Sequence, residues 1–321
     1  MTADSLPSLD IVIVNWNSGD QLRSCLASLA SCGRTGMQLM RVTVVDNGSS
    51  DGSAEDLHSA GLPLVVLRNS ENKGFARACN QGAVESGADY LLFLNPDTRL
   101  YADSLAAPIG FLEQTENRQM GICGIQAVDD RGEVVRSCAR FPTPRRFAFH
   151  LLGLDRIASR LFPGYIMREW DHSDSRRVDH VCGAFYLVRG RLFEELGGFD
   201  ERFFVYLEDV DFSLRAHRAG FDSYFFAGAK MYHRVGGVSA QVKDRRLYYE
   251  LRSRIGYVFK HFSLPSAFLI ACGTLCVEPA IRIGHATLRL AGNEILHTLR
   301  AYRLLWAAVL GMPRTRQPGT A

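Results

Sequence analysis

Asp10-Ile-Val-Ile-Val-Asn-Trp16 is a short β-branched run with polar residues at both ends, and the succession of segments that it opens decides the fold. Gln21 to Leu29 spaces Leu22, Leu26 and Leu29 along one helical face, so an amphipathic helix follows the first strand. Arg41-Val-Thr-Val-Val-Asp46 reads as a second strand ending in a carboxylate, and Asn47-Gly-Ser-Ser-Asp-Gly52 is turn chemistry. Leu64 to Leu67 gives a third strand and the Ala-rich Lys73 to Ser86 a helix. Tyr90-Leu-Leu-Phe-Leu94 is a fourth strand, stopped by Asn95-Pro96-Asp97. Strands alternating with helices through residue 110 predict an α/β fold: a mostly parallel central sheet with helices on both faces.

Farther on the pattern loosens. Ala127 to Asp179 holds Pro142, Pro144, Pro163 and the pairs Arg145-Arg146 and Arg176-Arg177, so an insertion or lid is expected, with helix between Phe147 and Leu161. Val181 to Val188 reads as a strand. Glu208 to Arg218 reads as a helix, with Val210, Leu214 and His217 on one face. From Phe262 to Val277 there is no charge, but Pro265, Ser266 and Thr274 interrupt the run and Glu278-Pro279 is expected to end it, short of the ~20 residues of a membrane span. Beyond it, Arg282, Arg289, Arg300 and Arg303 alternate with Ile281, Leu288, Leu290, Leu299, Leu304, Leu305 and Trp306. That mixture favours helices lying in a bilayer interface over packing on the main domain or a dimer contact.

The composition is that of a globular protein. Of 321 residues, 47% are hydrophobic and 22% charged, which excludes disorder, collagen-like repeats and a coiled coil. The net charge of +3 is unevenly spread: residues 243–321 carry 12 Lys/Arg against 4 Asp/Glu, leaving −5 for the rest. A basic tail points to a polyanionic surface. With no aromatic–basic interleaving of an RNA-reading sheet, that surface is read as membrane rather than nucleic acid. The eight cysteines show no Cys-x-x-Cys pair and no zinc spacing, and Met1 to Asp10, with Asp4 and Pro7, lacks the pattern of a secretory leader. Reduced thiols in the cytoplasm are expected.

Parallel sheets bind ligands at the carboxyl ends of their strands. Here those ends are Asn15-Trp16-Asn17, Asp46-Asn47 and Asn95-Pro96-Asp97, three polar groups on one rim. Asp51 and Asp103 read as turn or cap residues. Neither Gly-x-Gly-x-x-Gly after the first strand nor a Gly-Lys-Ser/Thr loop is present, so a bound phosphate would be neutralised by a metal or by Lys73 and Arg77. Asp97, in a turn stiffened by Pro96, suits a hard cation. His233 reads either as a structural imidazole or as a further metal or diphosphate contact. Glu208, Asp209 and Asp211 follow the apolar stretch Phe203 to Leu207 and point about 100° apart per residue along a helix. Either all three decorate its first turn, or one caps it while another, desolvated by aromatics, serves as a general base.

In order along the chain, Ile11 to Asn17, Val44 to Gly52, Asn72-Lys-Gly-Phe-Ala-Arg-Ala-Cys-Asn-Gln-Gly82, Leu94 to Thr98, Gly183-Ala184, Gly197-Gly-Phe-Asp200 and Tyr206-Leu-Glu-Asp-Val-Asp211 resemble the family 2 glycosyltransferases of GT-A fold, rhamnosyltransferase-like branch. The resemblance covers about residues 9–260. It implies a catalytic domain over 1–260, with a nucleotide-binding half (1–110) and an acceptor and catalytic half (111–260), followed by a basic amphipathic tail over 261–321. It implies that Asp46 contacts the pyrimidine of a nucleotide-sugar, that Asp97 and His233 hold Mg²⁺ or Mn²⁺ at the diphosphate, and that Asp209 is the base. Asn15, Asn17, Lys73, Arg77, Asn80, Asn95, Gly183, Ala184 and Glu208 would shape the donor site, with Asn95 standing where the family's metal motif has its first acid. The implied reaction is inverting, metal-dependent transfer of a sugar from a dTDP- or UDP-linked donor, dTDP-L-rhamnose in this branch. The basic tail, which lies outside the resemblance, favours as acceptor a polyprenyl-diphosphate-linked saccharide of the cell envelope, at the cytoplasmic face of the membrane. A nucleotidyltransferase would want a basic Gly-rich loop after the first strand, where this chain has Asn15-Trp-Asn-Ser-Gly19; a non-catalytic sugar-nucleotide binder would not need both Asp97 and Asp209.

Overall fold

The computed structural model describes residues 6–57, 61–167, 169–234 and 242–311. Its first part follows the sequence pattern. β1 (Ser8–Asn15), α1 (Gln21–Ser31), β2 (Gln38–Asp46), β3 (Leu64–Arg68), α2 (Phe75–Ala83) and β4 (Tyr90–Leu94) place four parallel strands in the order β3-β2-β1-β4. β5 (Thr98–Leu100), α3 (Ala106–Glu113), β6 (Met120–Val128), β7 (Val134–Val135) and β8 (Cys138–Ala139) come next. After α4 (Pro144–Leu151) and α5 (Leu154–Ile157), the chain forms β9 (Arg176–Val178), β10 (His180–Val181), β11 (Phe185–Arg189), α6 (Gly190–Glu195), α7 (Glu208–Arg218) and β12 (Asp222–His233). The main sheet runs β3-β2-β1-β4-β11-β6-β12-β5, with β11 antiparallel between β4 and β6, and β5 antiparallel on β12. Because side chains alternate along a strand, neighbouring residues enter opposite cores. Ile11, Ile13, Leu92 and Leu94 join Leu22 and Leu29 of α1, whereas Val12 and Phe93 join Phe193, Phe199 and Phe212.

Three expectations need correction. The helix expected from Lys73 starts only at Phe75, because Gly74 adopts φ +93° and a Cβ there would lie 2.6 Å from the Phe204 carbonyl oxygen. The strand expected over Val181 to Val188 divides: β10 pairs with β8 in a separate two-stranded sheet, and β11 enters the main sheet. Residues 182–184 between them form a loop. Helix α7 has the expected bounds and buries Val210 of the expected face, but it buries Phe212, Ser213 and Ala216 as well, while Leu214 is half-buried and His217 exposed. Phe212 sits among Phe193, Phe199 and Tyr186, and this aromatic cluster sets the helix's rotation.

A second compact unit comprises Pro142–Gly164, where α4 and α5 supply the expected helix, together with the C-terminal helices from α8 (Lys243–His261) onward. α9 (Leu264–Cys272) passes through one π turn (Gly273–Val277) into α10 (Glu278–Leu288), and α11 (Gly292–Val309) follows. The apolar run therefore does not end at Glu278-Pro279. Pro279 stands in the first turn of α10, where its missing N–H is tolerated beside the π turn. One helix spans Leu264–Leu288, 25 residues, long and apolar enough by length and composition to cross a membrane.

Candidate active site

The site begins at the carboxyl ends of β1 and β2, where Asn15 and Asp46 are register neighbours. Asn15 is fully buried and its Nδ2 lies 3.0 Å from Asp46 Oδ1 and 2.9 Å from Ser53 Oγ. Asn17, at φ +50°, accepts the Ser50 N–H at 2.8 Å through Oδ1 and donates its own N–H to Ser49 Oγ. Both asparagines thus bind the chain's own 46–53 turn, and Asn15 positions Asp46. Asn47, which carried no expected role, does the same for the next loop. Its Nδ2 donates to Asn72 Oδ1 (3.0 Å) and the Gly74 carbonyl, and its Oδ1 accepts from Asn69 Nδ2 and the Lys73 N–H. Only its place at a strand end signalled it.

The Lys73-Gly74-Phe75 segment reaches the residues ahead of α7, since the Phe75 N–H donates to the Phe204 carbonyl at 2.6 Å. Arg77 lies on the surface near Glu201 (3.7 Å). Asn80 lies on α2. It donates to the Phe199 carbonyl and Glu201 Oε1 and accepts the Phe199 N–H at 2.9 Å, so both ends of its amide clamp the 199–201 loop.

Asp97 occupies the turn between β4 and β5. Thr98 closes that turn on the Asn95 carbonyl, while the Asn95 N–H donates to the Ala184 carbonyl at 3.0 Å. Pairing of Thr98 with His233 across β5 and β12 brings His233 Nε2 to 3.6 Å from Asp97 Oδ1, an oxygen that is buried with no hydrogen-bond partner among the described residues. Burial pushes the Asp97 carboxyl up against the opposing pull of His233, and pulls the His233 imidazole down. A desolvated oxygen facing an imidazole nitrogen fits a hard divalent cation. Among the described residues no third His, Cys, Asp or Glu joins the pair, so phosphate oxygens and water would complete the shell.

Asp209 stands in the first turn of α7, after Tyr206 and Leu207, two consecutive residues in left-handed backbone (φ +70° and +67°). Its Oδ2 accepts the Gly183 N–H at 3.0 Å and its Oδ1 accepts the Val210 N–H at 2.8 Å. Behind it His180, buried, places Nε2 at 3.5 Å from Oδ2 and Nδ1 at 3.1 Å from Ser213 Oγ, which in turn lies 2.8 Å from the Tyr186 hydroxyl. No spacing in the sequence marked His180, Ser213 or Tyr186. Burial holds the His180 imidazole low despite the nearby Asp209 and Asp179 charges. Glu208 is buried too, and desolvation followed by the Asp209 charge pushes its carboxyl well above the usual range. Asp211 is ion-paired to Arg215 at 2.8 Å and belongs to the helix's own structure.

The two halves meet at the 182–184 loop. Asn95, two residues before Asp97, holds Ala184; Asp209 rests on Gly183. Cys182, the first residue of that loop, is exposed.

This rim of strand-end polar groups, with two carboxylates around one loop over a mixed sheet, defines a glycosyltransferase of GT-A fold. Residues 10–196 match the family Glycosyl transferase family 2, more than half of the chain, and the chain belongs to that family. It is 28% identical over 237 residues to the N-acetylglucosaminyl-diphospho-decaprenol L-rhamnosyltransferase of Mycobacterium tuberculosis, covering 70% of this chain and 75% of that protein. It is 28% identical over 173 residues to the rhamnosyltransferase WbbL of Escherichia coli, covering 53% and 61%. Among solved structures, the fold is shared with the mannosyltransferase PcManGT of Pyrobaculum calidifontis in complex with GDP-Man and Mn²⁺ (TM-score 0.53, 17% identity, 95% of this chain and 87% of that one). It is also shared with GalNAc-T7 with UDP, GalNAc and Mn²⁺ (TM-score 0.52, 18% identity, 77% and 48%).

Proposed function

We propose that this glycosyltransferase moves L-rhamnose, with inversion, from dTDP-rhamnose to a polyprenyl-diphosphate-linked saccharide in cell-envelope synthesis, while bound peripherally to the inner face of the membrane. The observation that carries the chemistry is the placing of Asp97 with His233, and of Asp209, around the single loop at residues 182–184. The donor and acceptor classes are supported by the names of the two rhamnosyltransferase relatives. Metal dependence is supported by the Mn²⁺ in both structural neighbours and by the buried Asp97 oxygen, which faces His233 and has no hydrogen-bond partner among the described residues.

In this reading Asp46, fixed by Asn15, receives the pyrimidine, and Lys73 stands with the loop that Asn47 stitches to the same rim. Asp97 and His233 would hold Mg²⁺ or Mn²⁺, which supplies charge for the departing diphosphate oxygens. Asp209 takes the proton of the acceptor hydroxyl as it attacks the anomeric carbon, because a free hydroxyl is too weak a nucleophile near neutral pH. The C–O bond to the diphosphate breaks on the opposite side, which inverts the carbon. Val210 and Gly183 N–H groups point the Asp209 carboxylate, and the buried Glu208 precedes it in the first turn of α7.

The test is a nucleotide-sugar panel with a short-chain polyprenyl-diphosphate saccharide as acceptor. Transfer from dTDP-rhamnose, abolished by EDTA and restored by Mg²⁺ or Mn²⁺, is expected; Asp209→Asn should keep donor binding and lose about 10²–10⁴-fold in kcat. Full turnover in excess EDTA, or by Asp209→Asn, would refute these assignments.

A further inference from the structure

The helix running Leu264–Leu288 buries its one acidic residue and turns several large apolar side chains outward. Its only charged residues are Glu278 and Arg282. Glu278 is buried, pairing with the buried Arg254 of α8 and accepting from Arg282 Nε (2.9 Å) and Nη2 (2.7 Å). Ala267, Ile270, Ala271, Thr274, Glu278 and Ala286 recur at helical spacing and form the buried stripe. Apart from Arg282, whose ion-paired side chain is 27% exposed, and the exposed His285, the outward remainder carries no charge over about 37 Å, at 1.5 Å per residue. Leu264, Phe268, Leu269 and Leu288 are 65%, 58%, 72% and 86% exposed.

A helix on the surface of a water-soluble protein turns its charges outward, and an exposed apolar stripe of this length marks a contact surface. Helices in lipid show the opposite arrangement, with charges paired inside the bundle. We propose that this outward face lies in the apolar layer of a lipid bilayer, with the helix along the membrane rather than across it. The inference rests on the membrane-bound acceptor proposed above, but assigns the contact to a segment whose sequence alone had been expected to break at Pro279. Two features on the same unit select lipid over another protein. The chain from residue 243 onward has 12 basic residues against 4 acidic ones, and Arg289 stands exposed at the end of the stripe, complementary to anionic headgroups. α8, packed along the inner side, exposes Arg245, Arg246 and Arg252, which belong at the headgroup level or in water and oppose passage through the bilayer.

The experiment is flotation of the full chain with phosphatidylcholine vesicles, with and without about a quarter of phosphatidylglycerol, at low and high salt. Wild type is expected to bind the anionic vesicles and to retain binding in high salt, since an apolar contact is not screened. The double variant Phe268→Glu/Leu269→Glu should bind at least ~10-fold less at both salt concentrations, each side chain being a large apolar group kept out of the lipid. Leu288→Glu, at the far end of the stripe, should weaken binding in the same direction. Both variants should keep the wild-type melting temperature and wild-type transfer to a water-soluble acceptor analogue, which separates loss of docking from failure of the proposed reaction. Equal binding by wild type and the double variant overturns the inference. So does wild-type binding that vanishes in high salt, or a wild type that ignores vesicles and self-associates through this face until Phe268→Glu/Leu269→Glu makes it monomeric.

Discussion

Gly183→Ala puts one methyl group against the proposed base. The glycine's φ lies outside the left-handed region, so alanine fits the backbone and only space is at issue. Its Cβ would stand 2.9 Å from Asp209 Oδ2, where an ordinary contact begins at 3.4 Å. The carboxylate must therefore retreat by about 0.5 Å, stretching its 3.0 Å bond from the Gly183 N–H. A 1 Å misplacement costs roughly 10²-fold in rate, so this shift should cost about 10-fold, and loss of the charged hydrogen bond raises that toward 100-fold. Overpacking of a single methyl typically costs ~1–3 kcal/mol; at this partly open site the low end, a fall of a few degrees in Tm, is expected. Steady-state transfer kinetics, donor affinity by calorimetry and a melting curve measure the three quantities. The expected result is a fall in kcat with donor affinity nearly unchanged. Gly110→Ala is the control: nothing lies within 4 Å of its added Cβ, and α3 should gain about 0.4–1 kcal/mol. A Gly183→Ala enzyme with wild-type kcat would show that Asp209 is not the working base in this geometry.

Asn47→Ala removes four hydrogen bonds that tie residues 69–74 to the sheet rim; stability should fall by about 2–4 kcal/mol and the KM for donor should rise, read by denaturant melts and kinetics. Glu208→Gln should be tolerated and should raise Tm at pH 8 relative to wild type. A carboxyl whose folded pKa is raised disfavours the folded state above its unfolded pKa, and the amide lacks that penalty; a lower Tm at pH 8 would contradict it. His172 accepts the Cys138 N–H at Nε2 (3.1 Å) and meets the Trp170 carbonyl at Nδ1, which fixes it neutral, and burial lowers it. With a depressed folded value, its contribution is present above the unfolded value near 6.5 and is lost as pH falls below it, so Tm should drop between pH 7 and 5. His172→Gln should flatten that slope by at most ~1.4 kcal/mol per pH unit, and an unchanged slope would refute the assignment.

Sequence by itself determined the parts that depend on near neighbours along the chain. The alternation of β-branched runs with amphipathic spacing determined β1 to β4, and parallel order then put Asn15, Asp46 and Asp97 on one rim. The acidic first turn of α7 and the Asn95-Pro96-Asp97 turn were legible for the same reason: cap and turn chemistry acts within a few residues. Only tertiary structure decided what chain-distant pairing and burial control. Pairing of β5 with β12 joined Asp97 to His233, and division of the 181–188 run at Gly183 made the rest for Asp209. Burial behind that loop enlisted His180, Ser213 and Tyr186, and the 199–201 loop engaged both ends of the Asn80 amide. Hydropathy read Glu278 as the end of an apolar run, whereas in the folded bundle Arg254 and Arg282 satisfy its charge and the helix continues to Leu288. A charge's effect on a helix depends on its partners, and those lie in space rather than in sequence.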